Sequence, residues 1–434
     1  MANDQITSIQ GTEDLLPEQW AYWRRLYGAA RRQFALYGYG EIRTPVIEDL
    51  RLFVKGTGET TDIVEKEMYA IPGSDGESVA LRPEGTPSVV RSYLERKLDR
   101  QAPFQKLCYV GPMFRHERPQ KGRLRQFHQL GVEAIGSAEP LLDAETILLA
   151  MAIFRDVGLS GCRLLLNTIG CETCRPRYRD AVRDAVKDRL GELCEDCRRR
   201  LERNVFRVLD CKNEGCRPVI ESLPEITEFL DEDCARHYAA VKDALGRAGL
   251  EFTEDPRLVR GLDYYTRTVY EIKHPGLGAR DAICGGGRYD KLVEILGGPP
   301  TPCVGFAIGA EATLLAMESE LGPPPDAAPR PEVYVVCFEE AARPFCFGLI
   351  GDLRGAGIAA DMDFEARSAK SQMRQANRLE ARLCFLIGGR EVEQDQVLIK
   401  DMADGRQWSV PREQAAGEAA GHLGQRQANP GAAR

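Results

Sequence analysis

The run from Val110 to Ile135, VGPMFRHERPQKGRLRQFHQLGVEAI, restricts the fold of this chain more than any other segment. Two stretches with the two-residue alternation of β-strands flank a loop carrying Arg118, Lys121, Arg123 and Arg125 around Gly122. Successive strand side chains point to opposite faces. Arg115 and Glu117 therefore share a face of the leading strand, and Phe127, Gln129 and Glu133 share a face of the returning one. The pattern predicts a hairpin that gathers a guanidinium, a stacking ring, an amide and two carboxylates on one side. Arg binds phosphate through two parallel hydrogen bonds. A hairpin that served solubility alone would have no use for such a convergent set.

Composition bounds the setting. At 434 residues the chain has room for two to three domains and a full core. Its 43% hydrophobic and 29% charged residues are ordinary for a soluble globular protein. No apolar run approaches the roughly 18 residues of a membrane span. The N-terminal MANDQITSIQ lacks the basic and apolar regions of a secretory signal, so a cytoplasmic protein without a membrane partner is expected. A net charge of −8 argues against general nucleic-acid binding, though not against a local basic patch.

Strand-like and helical patterns mix up to about residue 165, as at Gln105 to Val110 and Leu141 to Val157. Residues 170–255 are highly charged and read as helical. Short apolar segments return at Val269 to Lys273, Ala282 to Cys284 and Val304 to Ile308. Leu321 to Pro331, LGPPPDAAPRP, reads as a linker because proline fixes φ and lacks a donor. A βαβ pattern follows: strands at Val333 to Phe338, Ile358 to Asp361 and Leu383 to Ile387, with helices at Ala342 to Ala356 and Arg367 to Ala381. Two last strands are expected at Gln396 to Lys400 and Arg406 to Val410. The Ala-, Gly- and Gln-rich tail from Glu413 to Arg434 is expected to fray.

The Val110–Ile135 segment resembles motif 2 of class II aminoacyl-tRNA synthetases, in the form found in the histidyl-tRNA synthetase family. RPEGT at Arg82 to Thr86 resembles that family's amino-binding strand. RGLDYYT at Arg260 to Thr266 and GGGRYD at Gly285 to Asp290 resemble its two histidine-specific signatures. GYGEIRTPVIED, Gly38 to Asp49, resembles motif 1, whose proline, here Pro45, lies at the family's dimer interface. The likeness runs from about residue 6 to 412. It implies an α+β fold: a class II catalytic domain at 1–325, an antiparallel sheet flanked by helices, with a helical insertion at 170–255. An α/β anticodon-binding domain at 330–412 and a flexible tail at 413–434 would follow. A homodimer is implied as well.

The resemblance implies activation of L-histidine with ATP, with Mg2+ bridging the phosphates, and transfer of the histidyl group to tRNA(His). Arg115 and Arg260 would flank the α-phosphate as catalytic cations, offsetting its charge before a carboxylate attacks it. Arg123 would hold the γ-phosphate, Phe127 would stack on adenine, and Glu117 and Glu311 would complete the ATP site. Glu84, Thr86 and Gln129 would receive the α-ammonium of histidine, with Gly85 beside them in the histidine-binding set. Neutral imidazole has one donor and one acceptor; Glu133 would accept from one nitrogen while Tyr264 or Tyr265 donates to the other, with Tyr289 beside them. Gly285 to Gly287 alone would be a weak turn signal. In GFAIGAEAT, Gly305 to Thr313, Ala312 stands where the family's motif 3 carries an arginine over adenine and the γ-phosphate. Arg123 and the neighbouring basic loop are expected to compensate.

Two features lie outside those motifs. Cys171, Cys174, Cys194 and Cys197 form two CxxC pairs with zinc-like spacing, and Cys211 and Cys216 follow them. They are read either as one structural zinc site or as packing cysteines. Lys370, Arg374, Arg378 and Arg382 recur every four residues and predict a basic helical stripe for tRNA phosphates, while Arg118, Gln120 and Arg123 would reach the acceptor end. The alternative function is a catalytically weakened paralogue acting as a histidine-sensing regulatory subunit, favoured only by Ala312.

Overall fold

The alternating runs form the strands Gln105–Phe114 and Gln126–Ile135, paired antiparallel from Gln105 opposite Ile135 to Phe114 opposite Gln126. The computed structural model describes residues 6–58, 61–73, 77–119, 122–278, 281–325 and 329–428. Two units are distinguished, Met1–Asp326 and Ala327–Arg434. The hairpin belongs to an eight-stranded sheet in the first unit. Its spatial order is Gly40–Glu41, Gln105–Phe114, Gln126–Ile135, Cys303–Gly309, Ala282–Arg288, Thr266–Lys273, Arg163–Thr168 and Thr253–Glu254. The six inner strands run antiparallel to their neighbours, and the two short edge strands are parallel to theirs.

Period two divides the sheet into a packing face and an open face. Leu130, Val132 and Ala134 join Val304, Phe306 and Ile308 against the helices Trp20–Leu36 and Pro140–Asp156. Each large apolar side chain buried in this layer contributes roughly 1.5–3 kcal/mol relative to exposure. The intervening residues Phe127, Gln129, Gly131 and Glu133 fall on the other face, as the alternation requires.

Arg288, in the second histidine signature, is fully buried on the packing side of this arrangement. Its Nε donates to Asp143 at 3.0 Å, and its Nη1 donates to the Ser137 carbonyl at 2.9 Å. Asp143 also pairs with the His237 ring at 2.6 Å and accepts from Thr268 at 2.7 Å. A buried charge is tolerable only when paired and hydrogen-bonded. This network meets both conditions, so Arg288 is a structural stitch between the sheet and the Pro140–Asp156 helix.

Between Gly170 and Thr253 the chain forms a helical insertion with short elements, among them Cys174–Val186, Glu195–Arg203 and Glu232–Arg247. In the second unit, a five-stranded sheet is ordered Ala360–Met362, Val333–Cys337, Leu383–Ile387, Gln396–Asp401 and Gln407–Pro411. The first three strands are parallel and the last two antiparallel.

Over the described part of the tail the expectation of fraying fails: Arg412–Ala428 is a helix, and positions 429–434 lie outside the described residues. Ala415, Ala419 and Leu423 recur at four-residue spacing and are buried in the second unit's core, and the His422 ring bonds Asp401 at 2.6 Å. Alanine favours helix strongly once one face has somewhere to pack. Among the described residues, no helix is long and apolar enough to cross a membrane.

Candidate active site

The open face of the sheet borders a cleft of roughly 750 Å³ lined by Arg115, Glu117, Arg123, Phe127, Arg260 and Ala312, among others. That volume suits a small-molecule ligand. The leading strand ends at Phe114, so Arg115 and Glu117 leave it on an extended segment rather than within it. They still converge with the returning strand: the Arg115 guanidinium lies 5.2 Å from the Phe127 ring centroid and its Nε donates to the Pro83 carbonyl at 2.9 Å. Arg123 pairs with the buried Glu117 and stands 3.6 Å from Glu67. The structure therefore brings Arg115, Glu117, Arg123 and Phe127 together.

Arg260 approaches the cleft from the first histidine signature. Its Nη1 pairs with Glu271, its charge is further favoured by that carboxylate against the cost of burial, and its Nε is buried without a partner. The neighbouring glycines explain how it fits. A Cβ on Gly285 would lie 2.1 Å from Arg260 Nη2, and one on Gly286 would lie 2.5 Å from the Tyr270 ring. Gly285–Gly287 is thus no turn: it lies inside the strand Ala282–Arg288, where side chains from neighbouring elements cross its surface.

Deeper in the first unit sits a polar group that is almost wholly buried. Glu133 accepts from the Thr86 hydroxyl at 2.6 Å and from the Tyr289 hydroxyl. Burial pushes its carboxyl up to about 8, the two hydroxyl donors notwithstanding. Glu84 accepts from Thr57 at 2.8 Å and Tyr264 at 2.8 Å, and burial raises its pKa while Arg115 and Arg260 act against the shift. The Tyr264 and Tyr265 rings are 4.8 Å apart, and Tyr264 meets Tyr289 edge-on at 5.6 Å. Gln129 is buried with its side-chain oxygen unpartnered. An orphaned buried acceptor costs about 1–3 kcal/mol, which a bound donor would return.

Glycines shape this pocket too. A Cβ on Gly85 or Gly131 would lie 2.4 or 2.3 Å from the Tyr109 ring, and one on Gly305 would lie 2.2 Å from Glu133 Oε2. The close passage of Tyr109 therefore requires glycine at position 85. Tyr109 itself was not singled out in sequence, since a tyrosine within a strand reads as core.

Glu311, expected at ATP, receives the His128 amide at 2.9 Å through Oε2 and the His128 ring at 2.9 Å through Oε1. Its carboxylate fastens the first turn of the Ala310–Leu321 helix to the hairpin. Lys212 and Lys273, unmarked in sequence, line the cleft; Lys273 stands 3.3 Å from Asp281. Gln120 lies outside the described residues, and Arg118 is exposed.

Lys370, Arg374 and Arg378 are exposed on the helix Ala369–Arg378. Arg382 does not join them. The helix has ended, and its guanidinium donates to the Leu423 carbonyl at 3.1 Å and stands 3.6 Å from Glu332.

The cysteines do not converge on one point as expected from the CxxC spacing. Cys194 and Cys197 cluster with Cys211 and Cys216, whereas Cys171 and Cys174 cluster with Asp231 and Cys234. The intervening helices fold each pair back toward a different return segment.

Comparison with known proteins places this geometry. The family model described as histidyl-tRNA synthetase matches residues 11–313, and one described as an anticodon binding domain matches 332–420. The histidine–tRNA ligase of Moorella thermoacetica is 47% identical over 403 residues, 93% of this chain and 95% of that one. That of Halothermothrix orenii is 46% identical over 405 residues, 93% of this chain and 96% of that one. The apo histidyl-tRNA synthetase of S. aureus is similar at TM-score 0.79 and 36% identity, covering 95% of this chain and 99% of that one. A Bacillus halodurans chain described as an ATP phosphoribosyltransferase regulatory subunit/histidyl-tRNA synthetase is less similar, at TM-score 0.61 and 22% identity, and shares the fold alone. A family model covering most of the chain and ligase relatives matching nearly its whole length agree with the hairpin, the glycine-lined strands and the buried carboxylates: this chain belongs to the histidyl-tRNA synthetase family.

Proposed function

We propose that this chain joins L-histidine to ATP through the cleft and pocket described above, then passes the histidyl group to tRNA(His). A histidine carboxylate oxygen attacks the α-phosphorus, the bond to the β-phosphate oxygen breaks, and pyrophosphate leaves. A terminal ribose hydroxyl of the tRNA then attacks the histidyl carbonyl and AMP departs. The observation that carries this reading is the buried Glu133, with Gln129 and its unpartnered oxygen two turns of the pleat away on the same strand face.

Arg115 and Arg260 flank the attacked phosphate from the two sides of the cleft. Their charge offsets the oxyanions before attack and stabilises the charge that develops during it. The unpartnered Arg260 Nε is suited to such a contact. Phe127 offers its ring to adenine with Glu117 at that end, and Arg123 holds the γ-phosphate. Mg2+ would ride on the phosphates near Glu271 and Asp281, which line the same cleft, and would neutralise phosphate charge there. Glu84 and Gln129 receive the α-ammonium. Glu133 accepts from one imidazole nitrogen and Tyr264 or Tyr265 donates to the other, with Tyr289 holding Glu133 through its hydroxyl. An analogue lacking those groups would leave buried polar atoms unpaired, and the site would reject it.

The exposed Lys370, Arg374 and Arg378 support tRNA contact in the second unit, and Arg118 supports contact beside the hairpin. The segment around Pro45 and Ile47 is exposed and fits a homodimer interface. A cytoplasmic location accords with the substrates. Charging of tRNA with labelled histidine tests the reading. Histidine binding without charging would instead favour a regulatory paralogue.

A further inference from the structure

We propose that the insertion holds two zinc ions, one at Cys194, Cys197, Cys211 and Cys216 and one at Cys171, Cys174, Asp231 and Cys234, and that together they pin the insertion against the Arg260–Tyr265 loop. In each group the four ligand atoms lie within 4.8 Å of one another. Tetrahedral zinc with Zn–S bonds of about 2.3 Å sets its sulfurs about 3.8 Å apart. Cys194 Sγ and Cys211 Sγ are 3.8 Å apart, and Cys171 Sγ and Cys174 Sγ are 3.6 Å apart. No disulfide joins them. A four-iron cluster binds one thiolate per iron and would spread them farther.

Backbone amides supply the support that thiolate ligands need. Thr173 and Asp231 donate to Cys171 and Cys174 at 3.3 and 3.2 Å. Cys197 and Asn213 donate to Cys194 and Cys211 at 3.4 Å, and Cys194 donates to Cys216 at 3.1 Å. Asp231 Oδ2 lies 3.0 Å from Cys171 Sγ while its Oδ1 caps the following helix through the Cys234 amide at 2.8 Å. Carboxylate oxygen is an accepted zinc ligand.

The insertion also needs such staples. Its helices Glu195–Arg203, Phe206–Leu209 and Arg217–Glu221 have nine, four and five residues. Helices so short do not stand alone in water. The Asp231 group ties the entry of the insertion to its exit, and the Cys194 group ties its middle.

Both groups bear on histidine recognition. Arg175, next to Cys174, donates to the Tyr265 carbonyl and, at 3.3 Å, to that of Ile169. Asn204 donates to Asp263 at 2.8 Å, and Arg207 donates to the Gly261 carbonyl at 3.0 Å. Lys212, adjacent to Cys211, lines the cleft.

Elemental analysis of the full-length protein, purified under reductant and dialysed against metal-free buffer, should give two zinc ions per chain. Titration with a mercurial should release both. Cys234→Ser and Cys211→Ser should each retain one. A wild-type count of one or none, or variants that still hold two, overturns the sites. This count does not depend on the proposed ligase activity, whereas the link to the loop does. Arg175→Lys, which keeps every ligand, should hold two zinc ions and raise KM for histidine roughly tenfold or more in pyrophosphate exchange, the equivalent of removing one bond to the loop. An unchanged KM overturns the link while leaving the sites intact.

Discussion

Histidine affinity should be governed by the proton on Glu133. Burial pushes this carboxyl up to about 8, so near neutrality the free protein holds it mostly protonated. The proposed contact to imidazole requires an acceptor, the carboxylate. The sign follows: the raised pKa penalises binding below about 8, and affinity improves as pH rises until the group is ionised. With a pKa of about 8, the penalty factor falls from roughly 33 at pH 6.5 to about 2 at pH 8, an approximately sixteenfold tightening or about 1.6 kcal/mol. Calorimetry in buffers of different ionisation enthalpy should show about 0.9 proton released per histidine bound at pH 7.

Glu133→Gln provides the control, because the ligand's own titration is common to both proteins. The amide still accepts one bond and donates another, and Tyr289 and Thr86 can reorient their hydroxyls to match. It lacks the charge, so binding at pH 8 should weaken by roughly 10- to 150-fold, the range of a charge-assisted hydrogen bond at about 1.5–3 kcal/mol. The ratio of the two dissociation constants should then rise with pH between 6.5 and 8. A ratio independent of pH, or proton uptake on binding, would refute the assignment of Glu133 to imidazole.

Gly285→Ala would place a Cβ 2.1 Å from Arg260 Nη2, displacing the guanidinium from the cleft; overpacking of about 1–3 kcal/mol predicts a roughly 5- to 150-fold loss of kcat/KM in pyrophosphate exchange. Ala312→Arg should leave KM for ATP nearly unchanged, because Arg123, Lys212 and Lys273 already line the cleft; a fall of roughly tenfold or more, the effect of one added charge-assisted bond to phosphate, would refute that compensation. The triple variant Lys370→Ala, Arg374→Ala, Arg378→Ala should reduce the slope of log affinity for tRNA against log salt by about 2 to 3, close to one for each phosphate no longer neutralised, with histidine KM unchanged. An unaltered slope would remove the stripe from the interface.

What could be read in advance followed from regular geometry. Period two put Phe127, Gln129 and Glu133 on one face, and the structure opposes that face to the layer of Leu130, Val132 and Ala134. Local periodicity gives no view of which distant element lies opposite. Lys273 ends a strand whose alternation predicts exposure equally well on either side, so its place in the cleft depends on the sheet order. The Glu311 contact to His128 was not legible either, because a carboxylate in the first turn of a helix serves a neighbouring amide as readily as a ligand. The tail was misjudged because alanine-rich composition is shared by frayed ends and by packed helices, and only the four-residue spacing of Ala415, Ala419 and Leu423 distinguishes them. The cysteine pairing was hidden for the reason disulfide pairing is, since proximity in sequence does not decide which pairs meet.

The glycines connect these outcomes to the chemistry. Gly85, Gly131, Gly285 and Gly305 all sit where a single methyl group would strike Tyr109, Arg260 or Glu133. Gly131, Gly285 and Gly305 lie in strands, where glycine weakens the element and is retained when another group must pass close to the backbone, and Gly85 caps the Thr86–Glu95 helix. Three such positions in one part of one sheet, with Gly85 at the neighbouring helix start, mean that strand stability has been given up to admit two charged groups and a ring into space that side chains would otherwise fill. Those charges are costly in the free protein: Glu133 is driven toward protonation, and Arg260 keeps an unpartnered donor. A ligand that offers an imidazole N–H to the carboxylate and a phosphate oxygen to the guanidinium relieves both at once. Selectivity for histidine and activation at the α-phosphate therefore draw on the same destabilised pocket, and a variant that relaxes the pocket by filling a glycine should lose both together.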